Sequence, residues 1–171
     1  MDLSQFYQTF FEESLESLEN IEQVLLGIDI QNYSDDEINN IFRCMHSIKG
    51  GSATFGFTDI SEFTHTAETY MDNIRKRTDI LTQQSVDLLL KSIDLIRSMI
   101  AIYQGDSGQD ISKKDSLHQA FQALIEKKDI ELPALEKTAE VAKEDAQPEK
   151  IATSDNSSEI NTNEIPLTKE T

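Results

Sequence analysis

No proline occurs among the first 130 residues of this chain, whereas Pro133, Pro148 and Pro166 all fall within the last 39. Proline interrupts helix interiors because it lacks an amide donor and crowds the preceding turn. A proline-free stretch of this length therefore points to long, uninterrupted helices. Across it, apolar residues recur at intervals of three and four with almost no strict alternation, as in amphipathic helices packed on one another.

Five such segments are predicted. The first spans about Asp2 to Leu26, with Phe6, Phe10, Leu15, Leu18, Ile21 and Leu25 on one stripe and Glu12, Glu13, Glu16, Glu19 and Glu22 opposite; Gly27 suits its end. The second opens at Ser34-Asp-Asp-Glu37, a capping-box pattern, and turns Ile38, Ile41, Phe42, Met45 and Ile48 inward. The third runs from about Asp59 to Arg77 with Ile60, Phe63, Ala67, Tyr70, Met71 and Ile74 buried. The fourth covers about Thr82 to Gln104 with Val86, Leu89, Leu90, Ile93, Ile96, Ile100 and Tyr103 inward. A shorter fifth, from about Ser112 to Lys128, carries Leu117, Phe121, Leu124 and Ile125. Four long helices with short joins predict an all-α, up-down four-helix bundle over residues 1–130, with the fifth helix packed alongside.

Composition changes near residue 131. The segment 131–171 holds ten acids, four bases and no aromatic residue. It buries too little apolar surface to offset its chain entropy, and we expect an acidic, disordered linker or tail. The whole chain sets 15 Lys and Arg against 32 Asp and Glu, a net charge of −17. That balance argues against a sequence-independent grip on nucleic acid or on an anionic membrane. The longest apolar run, Met99 to Tyr103, is far short of the roughly 20 residues of a membrane span. No Lys or Arg precedes an apolar stretch at the N-terminus, so no secretory signal is expected. The lone cysteine, Cys44, excludes an internal disulfide. These features together predict a soluble, cytoplasmic protein.

One segment departs from helix economy: Arg43-Cys-Met-His46-Ser-Ile-Lys49-Gly50-Gly51. Each glycine inside a helix costs about 1 kcal/mol relative to alanine, and a local departure from otherwise consistent helix sequence marks a functional position. His46 lies about 80° from the core direction set by Ile38, Phe42 and Met45, on the edge of the buried stripe. Gly50, four residues on, leaves one flank of the imidazole bare, and Lys49, three residues on, brings an ammonium beside it. An accessible neutral imidazole is a nucleophile near pH 7, and a neighbouring lysine is a point charge for phosphoryl oxygens. A carboxylate on the second ring nitrogen would fix the tautomer. Glu68, in Thr64-His65-Thr66-Ala67-Glu68, lies about 80° from its own core direction and reaches His46 if the two helices are antiparallel neighbours. His65 joins that cluster at i−3 from Glu68, and His118, without a matching partner, reads as a surface residue.

Two other classes are weighed. A non-catalytic helical-bundle adaptor needs the acidic face but no reactive histidine. A di-metal bundle site needs paired Glu and Glu-x-x-His sets; His65-Thr-Ala-Glu68 has the reverse order and no second set exists.

Residues 46–57, HSIKGGSATFGF, resemble the phosphorylation-site signature of the N-terminal histidine phosphotransfer (HPt) domain of CheA-type chemotaxis histidine kinases. The opening DLSQFYQTFFEESLESL, the stretch INNIFRCMHSIKGG and the THTAE segment are similar to the same family, and the likeness covers about residues 1–128. Cys44 stands where that family commonly has a small residue and Tyr70 where it commonly has an aliphatic one; both are compatible with a core. The resemblance implies that His46 accepts a phosphoryl group from an ATP-binding kinase domain and passes it to an aspartate of a response-regulator receiver domain. It further implies that Lys49, His65 and Glu68 surround His46, with Gly50 and Gly51 giving the receiver access. The chain contains no P-loop lysine motif and none of the family's further domains, so no cofactor is expected in it; ATP and magnesium belong to the partner kinase domain. It reads as a carrier that does not phosphorylate itself, either a piece of a longer kinase or a stand-alone HPt module of a multistep phosphorelay outside chemotaxis.

Deleting residues 132–171 is expected to leave the melting temperature unchanged, measured by thermal denaturation of full-length and shortened chains. A large loss would place part of that segment in the folded core.

Overall fold

The computed structural model describes residues 4–127. The expected tail 131–171, and with it the boundary at about residue 130, lies outside the described residues. Five helices run in chain order: α1 Ser4–Gly27, α2 Asp35–Phe55, α3 Thr58–Arg75, α4 Gln83–Tyr103 and α5 Lys114–Ile125. Among the described residues there is no strand. Helices α1 to α4 contact one another in a closed ring, α1 on α2, α2 on α3, α3 on α4 and α4 on α1, while α5 lies against α3 and α4. This is the predicted bundle.

Local chemistry sets the ends. Ser34 Oγ accepts from the Glu37 amide at 3.2 Å while Glu37 Oε2 accepts from the Ser34 amide at 2.7 Å, the reciprocal box expected from the sequence. Thr82 and Ser85 do the same for α4. Helix α2 runs straight through Gly50 and Gly51 and ends at Gly56, whose φ of 81° is left-handed. There the Phe57 amide donates back to the Ser52 carbonyl at 2.8 Å, a glycine-terminated cap that turns the chain directly into α3.

That turn delivers Phe57 to an aromatic cluster at one end of the bundle. Tyr7, Phe10 and Phe11 of α1 meet Phe55 and Phe57, with Tyr7 edge-on to Phe55 at 5.4 Å and Phe57 4.5 Å from the Tyr103 ring. Phe6, expected inside, is 51% exposed, and Phe11 and Ser14 are buried in its place: Phe10, Phe11 and Tyr7 already fill this end, leaving Phe6 on the rim of the α1–α2 groove. Tyr103, also expected inside, is 42% exposed; its ring lies on Phe57 and its hydroxyl donates to Asp59 Oδ1 at 2.6 Å. Leu15, Phe42 and Leu90 are only partly buried. The α3 stripe is buried as expected. Within it, burial pushes the Tyr70 phenol up to about 12, so it stays a neutral donor, to the Ile80 carbonyl.

The two adjacent glycines differ. A β-carbon on Gly50 would meet nothing within 4 Å, whereas one on Gly51 would lie 2.5 Å from Cε2 of Phe10. Gly51 thus sets how closely α1 and α2 approach. Gly50→Ala is expected to raise stability by up to about 1 kcal/mol, worth several degrees of melting temperature. Gly51→Ala is expected to lower it by about 1–3 kcal/mol through overpacking against the Phe10 ring. Thermal denaturation of the two variants should place them on opposite sides of the wild type.

Candidate functional site

The antiparallel contact of α2 with α3 is the foundation of the site. Met45 and Ile48 on α2 are 2% and 1% exposed and fix the rotation of the helix. His46, next in sequence to Met45 and about 100° further round the helix, is left with a side chain 63% exposed. On α3 the Glu68 side chain is only 7% exposed, although it sits at the edge of that helix's apolar stripe, because α2 closes over it. Its two oxygens are divided: Oε1 lies 2.6 Å from His46 Nδ1 and Oε2 accepts from Lys49 Nζ at 2.5 Å.

Burial by itself would push the Glu68 carboxyl up. The hydrogen bonds from Lys49 and His46, together with their charges, outweigh burial and hold it below the usual carboxylate range. Glu68 is therefore ionised at neutral pH and can only accept. The proton in the His46–Glu68 bond sits on Nδ1, which leaves the lone pair on Nε2, the nitrogen that faces away from Glu68. Sequence spacing and structure agree on His46, Lys49 and Glu68 as one unit.

Other expected members stand differently. Gly50 leaves open space on the surface next to Lys49. Gly51 turns toward Phe10 of α1 instead of the histidine flank, so its part is close helix packing and not access. His65 is exposed and makes no hydrogen bond to Glu68; it lines a shallow depression with Lys49, Gly50, Ala53, Ser61 and Glu62. His118, expected on the surface, is partly buried and ties α5 to α3: Nδ1 lies 3.2 Å from Thr66 Oγ1 and Nε2 3.0 Å from the Gln122 amide.

Two residues escaped the sequence reading. Phe42, assigned to the core, stacks along His46 with centroids 6.0 Å apart and planes 26° from parallel. Arg75 places its guanidinium 3.9 Å from the Phe42 centroid and pairs with Asp72 at 2.6 Å. The i,i+4 relation of Phe42 to His46 was the available signal; Arg75 had none. Cys44 offers no competing nucleophile, since burial pushes its thiol up. Among the described residues no group of three or more His, Cys, Asp or Glu side chains is placed to hold a metal ion, and no helix is long and apolar enough to cross a membrane.

Residues 5–101 match the Hpt domain family. The chain belongs to the Hpt family. This Hpt chain is 38% identical over 135 residues to chemotaxis protein CheA of Klebsiella aerogenes and 36% identical over 140 residues to that of Salmonella typhimurium. The matches cover 78% and 81% of this chain and 21% of each relative, so the chain spans about a fifth of the length of the relatives it matches. The fold also matches the phosphorylated P1 domain of CheA3 in the crystal structure of its complex with CheY6 from R. sphaeroides, with a TM-score of 0.63 at 19% identity over 72% of this chain and 97% of that one.

Because folding lowers the pKa of Glu68, its ionised form contributes stability above the ordinary carboxylate range, and that contribution is lost as pH falls through the depressed value. The melting-temperature gap between wild type and Glu68→Gln is thus expected to be open near about pH 5 and to close on further acidification. A gap independent of pH would mean that the carboxylate's charge is not what the site uses.

Proposed function

We propose that this Hpt domain carries phosphate on His46, receiving it from an ATP-binding kinase domain and handing it to an aspartate of a receiver domain. The observation that carries the reading is the division of one buried carboxylate between His46 Nδ1 and Lys49 Nζ, which leaves Nε2 as the free nucleophile. In the first step the Nε2 lone pair forms a bond to the γ-phosphorus of ATP while the bond from that phosphorus to the bridging oxygen breaks, and ADP leaves. The ring gains positive charge, which the Nδ1–H···Glu68 bond stabilises. Lys49 is placed to meet phosphoryl oxygens as a point charge. In the second step a receiver carboxylate oxygen attacks the same phosphorus and the N–P bond breaks, returning the neutral imidazole.

Likeness to CheA over most of this chain, at about a fifth of the relatives' length, supports a place within a cytoplasmic chemotaxis kinase over a stand-alone relay module. A purely structural adaptor would give no account of a carboxylate buried against a histidine that is itself left open.

Incubation with ATP and a separate CheA-type kinase domain is expected to label His46 alone, with the label lost in acid and retained in base. Acid-labile label on His46→Gln would overturn the assignment. Glu68→Gln keeps an acceptor but removes the charge and is expected to slow labelling about ten- to a hundredfold. Gly50→Gln fills the open flank and is expected to fold normally yet transfer more slowly to a receiver, since a shift near 1 Å in the attacking geometry is expensive.

A further inference from the structure

Thr64 Oγ1 is the one buried side-chain polar atom, among the described residues, that lacks a hydrogen-bond partner. The residue is 0% exposed. A buried hydroxyl left unpaired is unfavourable, and a helical threonine has an easy remedy in the carbonyl four residues back. Thr9, Thr54, Thr66 and Thr69 all take it, donating to the carbonyls of Gln5, Gly50, Glu62 and His65. Thr64 does not.

Its place on α3 says what the hydroxyl is near. At 100° per residue, Thr64 lies about 40° from Glu68 and about 20° from Arg75 around the helix. Glu68 and Arg75 both reach α2, the first at His46 and Lys49 and the second at Phe42, and Ser61 on the same side donates to the Lys49 carbonyl. The opposite side of the stripe, Phe63 and Tyr70, meets Phe121 of α5. Thr64 is therefore one turn before Glu68 on the face turned to α2. Helical side chains lean toward the helix N-terminus, which brings the Glu68 carboxylate back over the turn that Thr64 occupies.

We propose that Thr64 is a positioning residue for the chemistry of His46, its hydroxyl donating to Glu68 Oε2 when the Lys49 ammonium turns from that oxygen to the phosphoryl group. The inference rests on the phosphohistidine reading above. At rest Lys49 supplies the donor on Oε2. A phosphoryl group on Nε2 offers three strong acceptors on the exposed side and draws the ammonium outward. Oε2 then remains in a nearly closed space, where loss of a donor is unfavourable. The unpaired hydroxyl one turn away is the buried donor that fills the gap and keeps the carboxylate aligned on Nδ1–H.

The test compares Thr64→Val, which removes the hydroxyl at similar shape, with Thr64→Ser, which keeps it and removes a methyl group. Each full-length variant is labelled with ATP and an excess of a separate CheA-type kinase domain, and each is melted thermally. Thr64→Val is expected to melt at or above the wild-type temperature yet to be labelled about two- to tenfold more slowly, the factor that one hydrogen bond is worth. Thr64→Ser is expected to melt lower and to label at close to the wild-type rate. A role in packing alone would make the rates follow the melting temperatures, and that result overturns the proposal. So does a Thr64→Val protein that matches a labelled wild type, in which case the assignment of His46 stands. A wild type that takes up no acid-labile phosphate on His46 overturns both.

Discussion

A carboxylate enclosed between two helices must be met by donors or it destabilises the contact that encloses it. In this bundle Glu68 is met by His46 and Lys49, two side chains on adjacent turns of the facing helix. This single arrangement links the register of α2 against α3, the choice of ring tautomer and the position of the ammonium. Sliding one helix against the other by a turn would break both bonds together. The apolar residues that flank it, Met45 and Ile48 on one helix and Ala67 and Met71 on the other, supply the rigidity that keeps the geometry fixed.

Glycine serves three separate needs within seven residues. Gly50 leaves a surface bare, Gly51 lets the ring of Phe10 approach the backbone, and Gly56 takes up a left-handed φ at the helix end. The first concerns the chemistry of the site, the second the packing of α1, and the third the turn that seats Phe57. A substitution series through this segment consequently reads out three physical effects, and a loss of phosphotransfer cannot be assigned without the melting temperature beside it.

Much of this was legible in the residues. Helix caps are local, so Ser34 and Glu37 announced the start of α2 with no knowledge of the rest. Helical periodicity placed Ile60, Phe63, Ala67, Tyr70, Met71 and Ile74 in the core. It also placed Glu68 at an edge, and antiparallel pairing then joined it to His46. The same periodicity misplaced Phe6 and Tyr103, because it reports a direction around the axis and not where the neighbouring helices stop. Gly50 and Gly51 are indistinguishable in sequence; only the position of Phe10 separates them. His65 has the spacing to meet Glu68, yet it is exposed and lies along the shallow depression beside Lys49 and Gly50. The pairing of Phe42 with Arg75 and the clasp of His118 on Thr66 join residues distant in sequence, and no local pattern encodes them.

Only one nitrogen of His46 is open, and it opens on one side of the α2–α3 pair. A donor and an acceptor that both address that nitrogen exclude each other in space. On the phosphohistidine reading proposed above, exchange through such a site is sequential, with the first protein gone before the second arrives, and the domain between the two encounters is a store holding at most one phosphoryl group. The residence time of that group, and not the affinity for either protein alone, then sets how long a past encounter with the donor can influence the acceptor.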